Sequence, residues 1–365
     1  MFISNLMFAC IILVQLIVTS NATPMGLFID VSEFSTSNTY AQLVTSALTL
    51  ACTSFNASTS PNRITSLALD HLTSRDGTYL GDAIARLSPF FDCFETVYIG
   101  TADNHNAKDM YCSSLLNDTF LNDYVKRSLV AAERFTAEYP RQNIPNLRWY
   151  LNYEAAGNYF GTGCNHFEVE QPTGELPKHP TVSAEAFTSA YVGMFRNLTE
   201  GLMELRDTGG AMWSPTFNWQ ASFVKDRPAL LGNVTDLLRQ VPLLREIVNQ
   251  DAIGKYSLYN ISDGSFSYNL TCEDTVFYQT LLSEAAAAAV MGTTNSSAVS
   301  VSVNMEMFSR RNTVPQSTIT GDPMEHQLRK CCYEANNLTI GPSWEVADWW
   351  KSQFVEWDPA ASIKV

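Results

Sequence analysis

Two glutamates stand where this chain would do chemistry. Glu154 follows NLRWYLNY and Glu306 follows SAVSVSVNM, and both runs alternate polar with apolar side chains. In the first, Arg148, Tyr150, Asn152 and Glu154 share one parity, and Trp149, Leu151 and Tyr153 the other. In the second, Ser300, Ser302, Asn304 and Glu306 alternate with Val299, Val301, Val303 and Met305. A period of two is the signature of a strand with unlike faces, so each carboxylate is expected on the polar face at the carboxyl end of its strand. Two such carboxylates across a barrel mouth are equipped for glycosidic hydrolysis: one protonates the leaving oxygen, the other attacks the anomeric carbon or activates water. A separation of about 5 Å implies retention, and about 7–9 Å inversion. The competing role is a solvated strand-end charge or a partner for Arg148, Arg310 or Arg311.

A sugar site also needs hydroxyl partners and stacking surfaces. Asp30 and Asp70 end apolar runs and share parity with small or polar neighbours, as do Asn152 and Asn304 in the two glutamate strands. They are candidate hydroxyl partners, although Asp is equally at home as a helix N-cap or turn residue. Glu33, His71 and the trio Asp103, Asn104 and His105 also fall after strands. Among the aromatics, Tyr159, Trp219 and Trp344 are the expected stacking platforms, since the apolar faces of pyranose rings pack on indole and phenol rings. Trp149 and Trp213, by contrast, are expected under helices.

The elements that must position these groups alternate along the chain. Strands are expected at Gly26 to Phe34, Ile64 to Leu72, Cys93 to Asp103, the Arg148 to Glu154 run, Gly210 to Trp219, Gly254 to Ser262 and Ser297 to Phe308, with Leu338 to Val346 an eighth strand or its loop. Helices are expected at Asn38 to Thr53, Gly81 to Phe91, Phe120 to Tyr139, Ser183 to Arg206, Val234 to Asn249, Cys272 to Met291 and Met324 to Glu334. Such alternation predicts an α/β chain folded as a (β/α)8 TIM barrel, with Glu154 on the fourth strand and Glu306 on the seventh. The long segment from Gly157 to Pro180 is expected to be a functional or a disordered loop.

Composition bounds the setting. Residues 1–22 form an uncharged apolar run ending in Ser20-Asn21-Ala22, which predicts a signal peptide cleaved after Ala22 rather than a retained anchor. Residues 23–365 then form one domain. A formal net charge of −14 disfavours nucleic acid and anionic membrane as partners. Outside the leader, eight Asn-X-Ser/Thr sequons, at Asn56, Asn117, Asn197, Asn233, Asn260, Asn269, Asn295 and Asn337, fit a glycosylated secretory protein. Seven cysteines outside the leader allow at most three disulfides within one chain, with pairing and oligomeric state left open. They show no metal-ligand spacing, no dinucleotide or phosphate-loop glycine motif is present, and no G-x-S-x-G elbow occurs, so neither metal, cofactor nor serine nucleophile is expected.

The motifs WYLNYEAAGNYF, AMWSPTFNW and VNMEMFSRR, in that order, resemble a family of secreted glycoside-hydrolase-like TIM barrels catalogued as a domain of unknown function. Trp149, Tyr150 and Glu154 match its first motif, Ser214, Pro215 and Phe217 its second, and Glu306 and Phe308 its third. Thr216 replaces the Tyr of the second motif, and the Trp that precedes the last Glu is replaced at Val303 or Asn304. The resemblance implies a carbohydrate-directed barrel distantly similar to clan A glycosidases, which place Asn directly before the acid/base Glu; here Tyr153 stands there. A barrel that binds glycan or protein without turnover is the alternative.

Overall fold

The computed structural model describes residues 25–56, 64–103, 118–151, 153, 184–215, 227–249, 256–257, 268–269, 272–291, 299–304 and 344–345. Glu154, Glu306, Asn152, Tyr159, Trp219, residues 1–22 and the expected helix at Met324 to Glu334 lie outside them.

Eight parallel strands form one sheet in chain order: β1 (Met25–Ile29), β2 (Ile64–His71), β3 (Thr96–Thr101), β4 (Leu147–Leu151), β5 (Ala211–Trp213), β6 (Leu244–Asn249), β7 (Ser300–Asn304) and β8 (Trp344–Glu345). Between them run α1 (Val31–Thr36), α2 (Asn38–Asn56), α3 (Gly81–Leu87), α4 (Asp118–Glu138), α5 (Ala184–Leu205), α6 (Arg227–Gln240) and α7 (Cys272–Val290). Each strand pairs with its sequence neighbour within the sheet, as when Val97, Tyr98 and Ile99 of β3 lie opposite Leu147, Arg148 and Trp149 of β4. No strand is inserted out of order, so the sheet never reverses its direction of growth, which is where a doubly wound fold would differ. At the far edge β8 pairs with β7, and its residues also approach β1 to within 8 Å between Cα atoms.

The two faces of the sheet bury different clusters. Leu27, Ile29, Leu67, Leu69, Val97, Ile99, Trp149, Leu151, Trp213 and Ile247 share one core with helix residues such as Val44, Leu48, Phe135, Phe195, Leu198 and Leu237. Residues of the opposite parity, Ala68, Tyr98, Tyr150, Met212 and Val248, with Phe28 packed against them, form a second cluster of their own. The helices therefore cover one face, and the other face covers itself, which a parallel sheet achieves by curling. The alternation expected for the fourth strand is present: Trp149, Leu151 and Tyr153 belong to the helix-side core, and Tyr150 to the inner cluster.

Three boundaries differ from expectation for identifiable reasons. The first strand stops at Ile29 rather than Phe34, because Asp30 turns the chain into α1: its carboxylate accepts the Glu33 N–H at 2.7 Å, and Val31 and Phe34 become the buried face of that helix. The expected helix from Val234 to Asn249 is a helix only to Gln240. Pro242 has no N–H with which to continue it, the chain turns with Leu244 N–H bonded to Val241 C=O at 3.0 Å, and Leu244–Asn249 becomes the true sixth strand. The sixth place in the main sheet is therefore not taken by the strand expected at Gly254 to Ser262. The described part of that segment, Tyr256–Ser257, pairs antiparallel with Tyr268–Asn269 away from the main sheet. The two errors cancel in the count, and the strand leading to Glu306 is still the seventh.

One disulfide joins Cys52, near the end of α2, to Cys93, at the end of the short 3₁₀ segment Ser88–Cys93. The alanine run behaves as expected: Ala285, Ala286 and Ala289 of α7 are buried beside Leu281 and Leu282. Among the described residues no helix is long and apolar enough to cross a membrane.

Candidate functional site

Polar side chains gather at the carboxyl ends of the strands. Asp70, His71, Thr101, Asp103, Ser214 and Asn249 are all buried there, on β2, β3, β5 and β6, and Asp30 follows β1 half-buried. Burial of polar groups at one end of an otherwise apolar sheet is costly unless they are bonded, and the side chains of Asp70, Thr101 and Ser214 each make hydrogen bonds here.

Asp70 is the centre of this group. Its Oδ1 accepts the backbone N–H of Val31 at 2.9 Å and that of His71 at 2.7 Å, and its Oδ2 lies 3.2 Å from His71 Nδ1. It thus ties the end of β2 to the start of α1. Burial raises the Asp70 carboxyl above its ordinary range, His71 opposes that shift, and nearby Asp30 adds to it. Both aspartates expected in a sugar site, Asp30 and Asp70, lie at the carboxyl end of the sheet, Asp30 directly after β1 and Asp70 near the end of β2. Asp30 also performs its alternative task, capping α1 through Oδ1.

Gly100 makes room for this arrangement. It lies on β3 beside Asp70, and a Cβ there would stand 1.6 Å from the Asp70 carbonyl oxygen and 2.8 Å from the His71 nitrogen. Only glycine lets the two backbones approach so closely. Next to it the Thr101 hydroxyl shares a 3.0 Å bond with Tyr124, whose phenol burial pushes up to about 12. Asp103 N–H bonds Thr73 Oγ1 at 3.0 Å, and Ala102 N–H bonds Ser128 Oγ at 3.2 Å.

On the β4–β5 side, aromatic packing braces the strand that leads to Glu154. The ring of Tyr153 meets Tyr124 edge-on at 4.8 Å between centroids and Tyr191 at 6.0 Å, and its carbonyl accepts the Tyr191 hydroxyl at 3.3 Å. Trp149 and Trp213 are fully buried under helices, as expected. Trp149 Nε1 donates to Arg206 C=O at 3.1 Å and Trp213 Nε1 to the Tyr191 hydroxyl at 3.3 Å. Tyr153 therefore holds the segment from the helix side, immediately before Glu154 in the chain.

Asn304 ends β7 opposite Glu345, and Trp344 lies opposite Val303, so two candidate substrate residues come from adjacent strands. Position 306 is two residues past the end of β7, and position 154 three past the end of β4.

At the opposite, amino end of the sheet a polar cavity of about 210 Å³ opens between Glu95, Arg141, Arg148, Arg206 and Asp207. Arg148 is committed there: its Nη1 donates to Thr208 C=O at 3.1 Å and its Nε lies 3.9 Å from Glu246 Oε1, while Tyr98 donates to Glu246 Oε2 at 2.7 Å. Arg206 binds the carbonyls of Tyr139 and Ile144 and anchors the turn before β4. Burial, with Arg141 nearby, lowers its proton affinity. These are bracing contacts. They also show that Arg148, considered above as a partner for Glu154, is bonded at the other end of its strand.

Asn249, Thr101 and Gly100 are not among the residues that the sequence points to, and Ser214 enters there only through the motif resemblance. Asn249 was hidden because its strand was assigned to a helix, and Pro242 was the signal that would have exposed it. Gly100 carries no local signal, since its requirement comes from a neighbouring strand. Among the described residues no group of three or more His, Cys, Asp or Glu is gathered to hold a metal.

Solved structures of known proteins show the following likenesses. A candidate α-L-fucosidase of Bacteroides thetaiotaomicron superposes with a TM-score of 0.51 at 11% identity, over 89% of this chain and 84% of that one. A thermostable mutant of a Cellvibrio japonicus xylanase gives 0.48 at 10% identity, over 91% and 88% respectively. No family model and no curated protein matches the chain. The fucosidase-like structure shows a shared fold.

Proposed function

We propose that the chain is a secreted carbohydrate-active protein whose sheet closes as a single-domain (β/α)8 barrel. It hydrolyses glycosidic bonds with Glu154 as general acid/base and Glu306 as nucleophile or general base. The observation that carries this reading is strand order: β4 and β7, which lead to the two glutamates, are the fourth and seventh of eight parallel strands, and buried polar groups line the carboxyl ends between and beside them. In a parallel barrel, that end is where substrate is bound and transformed. The fold shared with a candidate fucosidase is consistent with it, and so is the motif resemblance to the uncharacterised secreted barrel family.

In this mechanism Glu154 protonates the glycosidic oxygen as the bond to the anomeric carbon breaks. Glu306 either attacks that carbon, giving a glycosyl ester that water then hydrolyses, or takes a proton from the attacking water. Asp30, Asp70, Asn152 and Asn304 are assigned to sugar hydroxyls, and Tyr159, Trp219 and Trp344 to ring stacking. Cleavage after Ala22 releases the mature protein into the secretory lumen. The test is activity of the purified protein on a broad glycan panel beside Glu154→Gln and Glu306→Gln, with unchanged hydrolysis in both variants overturning the assignment.

One observation favours a second reading. Both oxygens of Asp70 and Oδ1 of Asp30 are engaged by the protein's own backbone or His71, which leaves less of the mouth's acidity for substrate. A barrel that binds glycan without turnover would retain ligand on a glycan array while releasing no product.

A further inference from the structure

Of the eight sequons, two lie in described helices with similar geometry. Asn197-Leu198-Thr199 is in the middle of α5, where Asn197 is exposed, Leu198 and Thr199 are fully buried, and the Thr199 hydroxyl donates to Phe195 C=O at 2.7 Å. Asn233-Val234-Thr235 in α6 is similar, with Asn233 half-buried, Thr235 buried and its hydroxyl bonded to Leu231 C=O at 2.7 Å. A helix advances about 100° per residue, so residues i and i+2 point to nearly opposite sides. An enzyme that must grip the asparagine amide and the threonine hydroxyl together cannot do so on the folded helix.

We infer that Asn197 carries an N-linked glycan, and that it is installed on the extended chain before α5 forms. This rests on the secretory part of the proposed function. In the transfer, Asn197 Nδ2 attacks the anomeric carbon of an oligosaccharide esterified to a polyprenyl diphosphate. The N–C bond forms, the C–O bond to phosphate breaks, the diphosphate leaves with that electron pair, and the displaced amide proton passes to a base of the transferase. Folding then buries Leu198 and Thr199 against the helix-side core and leaves the glycan on the solvent face. Because Asn197 is exposed, a bulky hydrophilic group costs the packed state little there.

The test is translation of the full chain into microsomes with its own leader and, separately, with a foreign cleavable leader, followed by glycosidase digestion and site mapping by mass spectrometry. Asn197→Gln, at an exposed position, should fold and should migrate one glycan lighter than the parent under the foreign leader. Equal glycan number in the two chains overturns the site. Glycosylation with the foreign leader but not with the native one upholds the site and overturns the secretory reading. For the timing, unglycosylated folded protein and its urea-unfolded form are each offered to the transferase with lipid-linked oligosaccharide. Modification of the unfolded form alone is expected, and equal modification of Asn197 in both forms overturns the order of events.

Discussion

Asp70 shows how much a single side chain can be asked to do at a strand end. It closes the β2–α1 contact through two backbone N–H groups and rests against His71, yet it does so as a buried carboxylate next to Asp30. Because its proton is held more tightly in the folded state than the ordinary value of 3.8, folding takes up a proton in the window above that value. Stability contributed by this group is therefore greatest at and below the ordinary pKa and declines as pH rises through the raised one. Asp70→Asn cannot ionise, keeps the oxygen that accepts both N–H groups, and should flatten that decline. Thermal unfolding followed across a pH series beginning near 4 checks it, and identical slopes for parent and variant would show that Asp70 does not set the trend. Asp70 was visible in the sequence as a candidate, but its attachment to Val31 was not, because the partner lies 39 residues away.

At the scale of elements, local chemistry decided the boundaries and distant contacts decided the pairings. Asp30 is a legible N-cap, and Pro242 a legible helix stop, although the alternation around each obscured them. Helices α4 and α5 were readable nearly to their ends because a long amphipathic repeat carries its own evidence. The Cys52–Cys93 bridge was not readable, since nothing local tells one cysteine from another. It ties α2 to the segment before β3 across 41 residues, and by the loop-closure argument contributes about 4 kcal/mol. The Cys52→Ser, Cys93→Ser double variant should lose a stabilisation of that order in urea unfolding and keep the same sheet by circular dichroism. A loss under about 1 kcal/mol would mean that the reduced chain is already constrained there.

For the whole molecule the decisive fact is that the strands before Glu154 and Glu306 occupy the fourth and seventh places in a sheet that grows in one direction. β8 approaches β1, and if the sheet closes as proposed those two places fall on opposite parts of one mouth. If the pair acts as proposed, Glu154→Gln and Glu306→Gln should each lower turnover by about 10²–10⁴-fold while leaving the unfolding midpoint near that of the parent, since general acid–base groups contribute on that scale. Initial rates on a responsive glycoside, measured beside thermal melts, separate loss of chemistry from loss of fold. Retained rates in either variant would remove that glutamate from the mechanism.

The sequence by itself determined the alternation of strands and helices, the two faces of the β4 strand, the burial of Trp149 and Trp213 under helices, and the candidacy of Asp30 and Asp70. Each follows from periodicity or side-chain chemistry within a short window, which is where sequence carries direct physical information. Only the tertiary structure decided that Leu244–Asn249 is the sixth strand, that Gly100 must lack a side chain, that Cys52 meets Cys93 and that Arg148 serves the amino end of the sheet. Those facts depend on groups far apart in the chain, and their partners are chosen by packing rather than by any local preference.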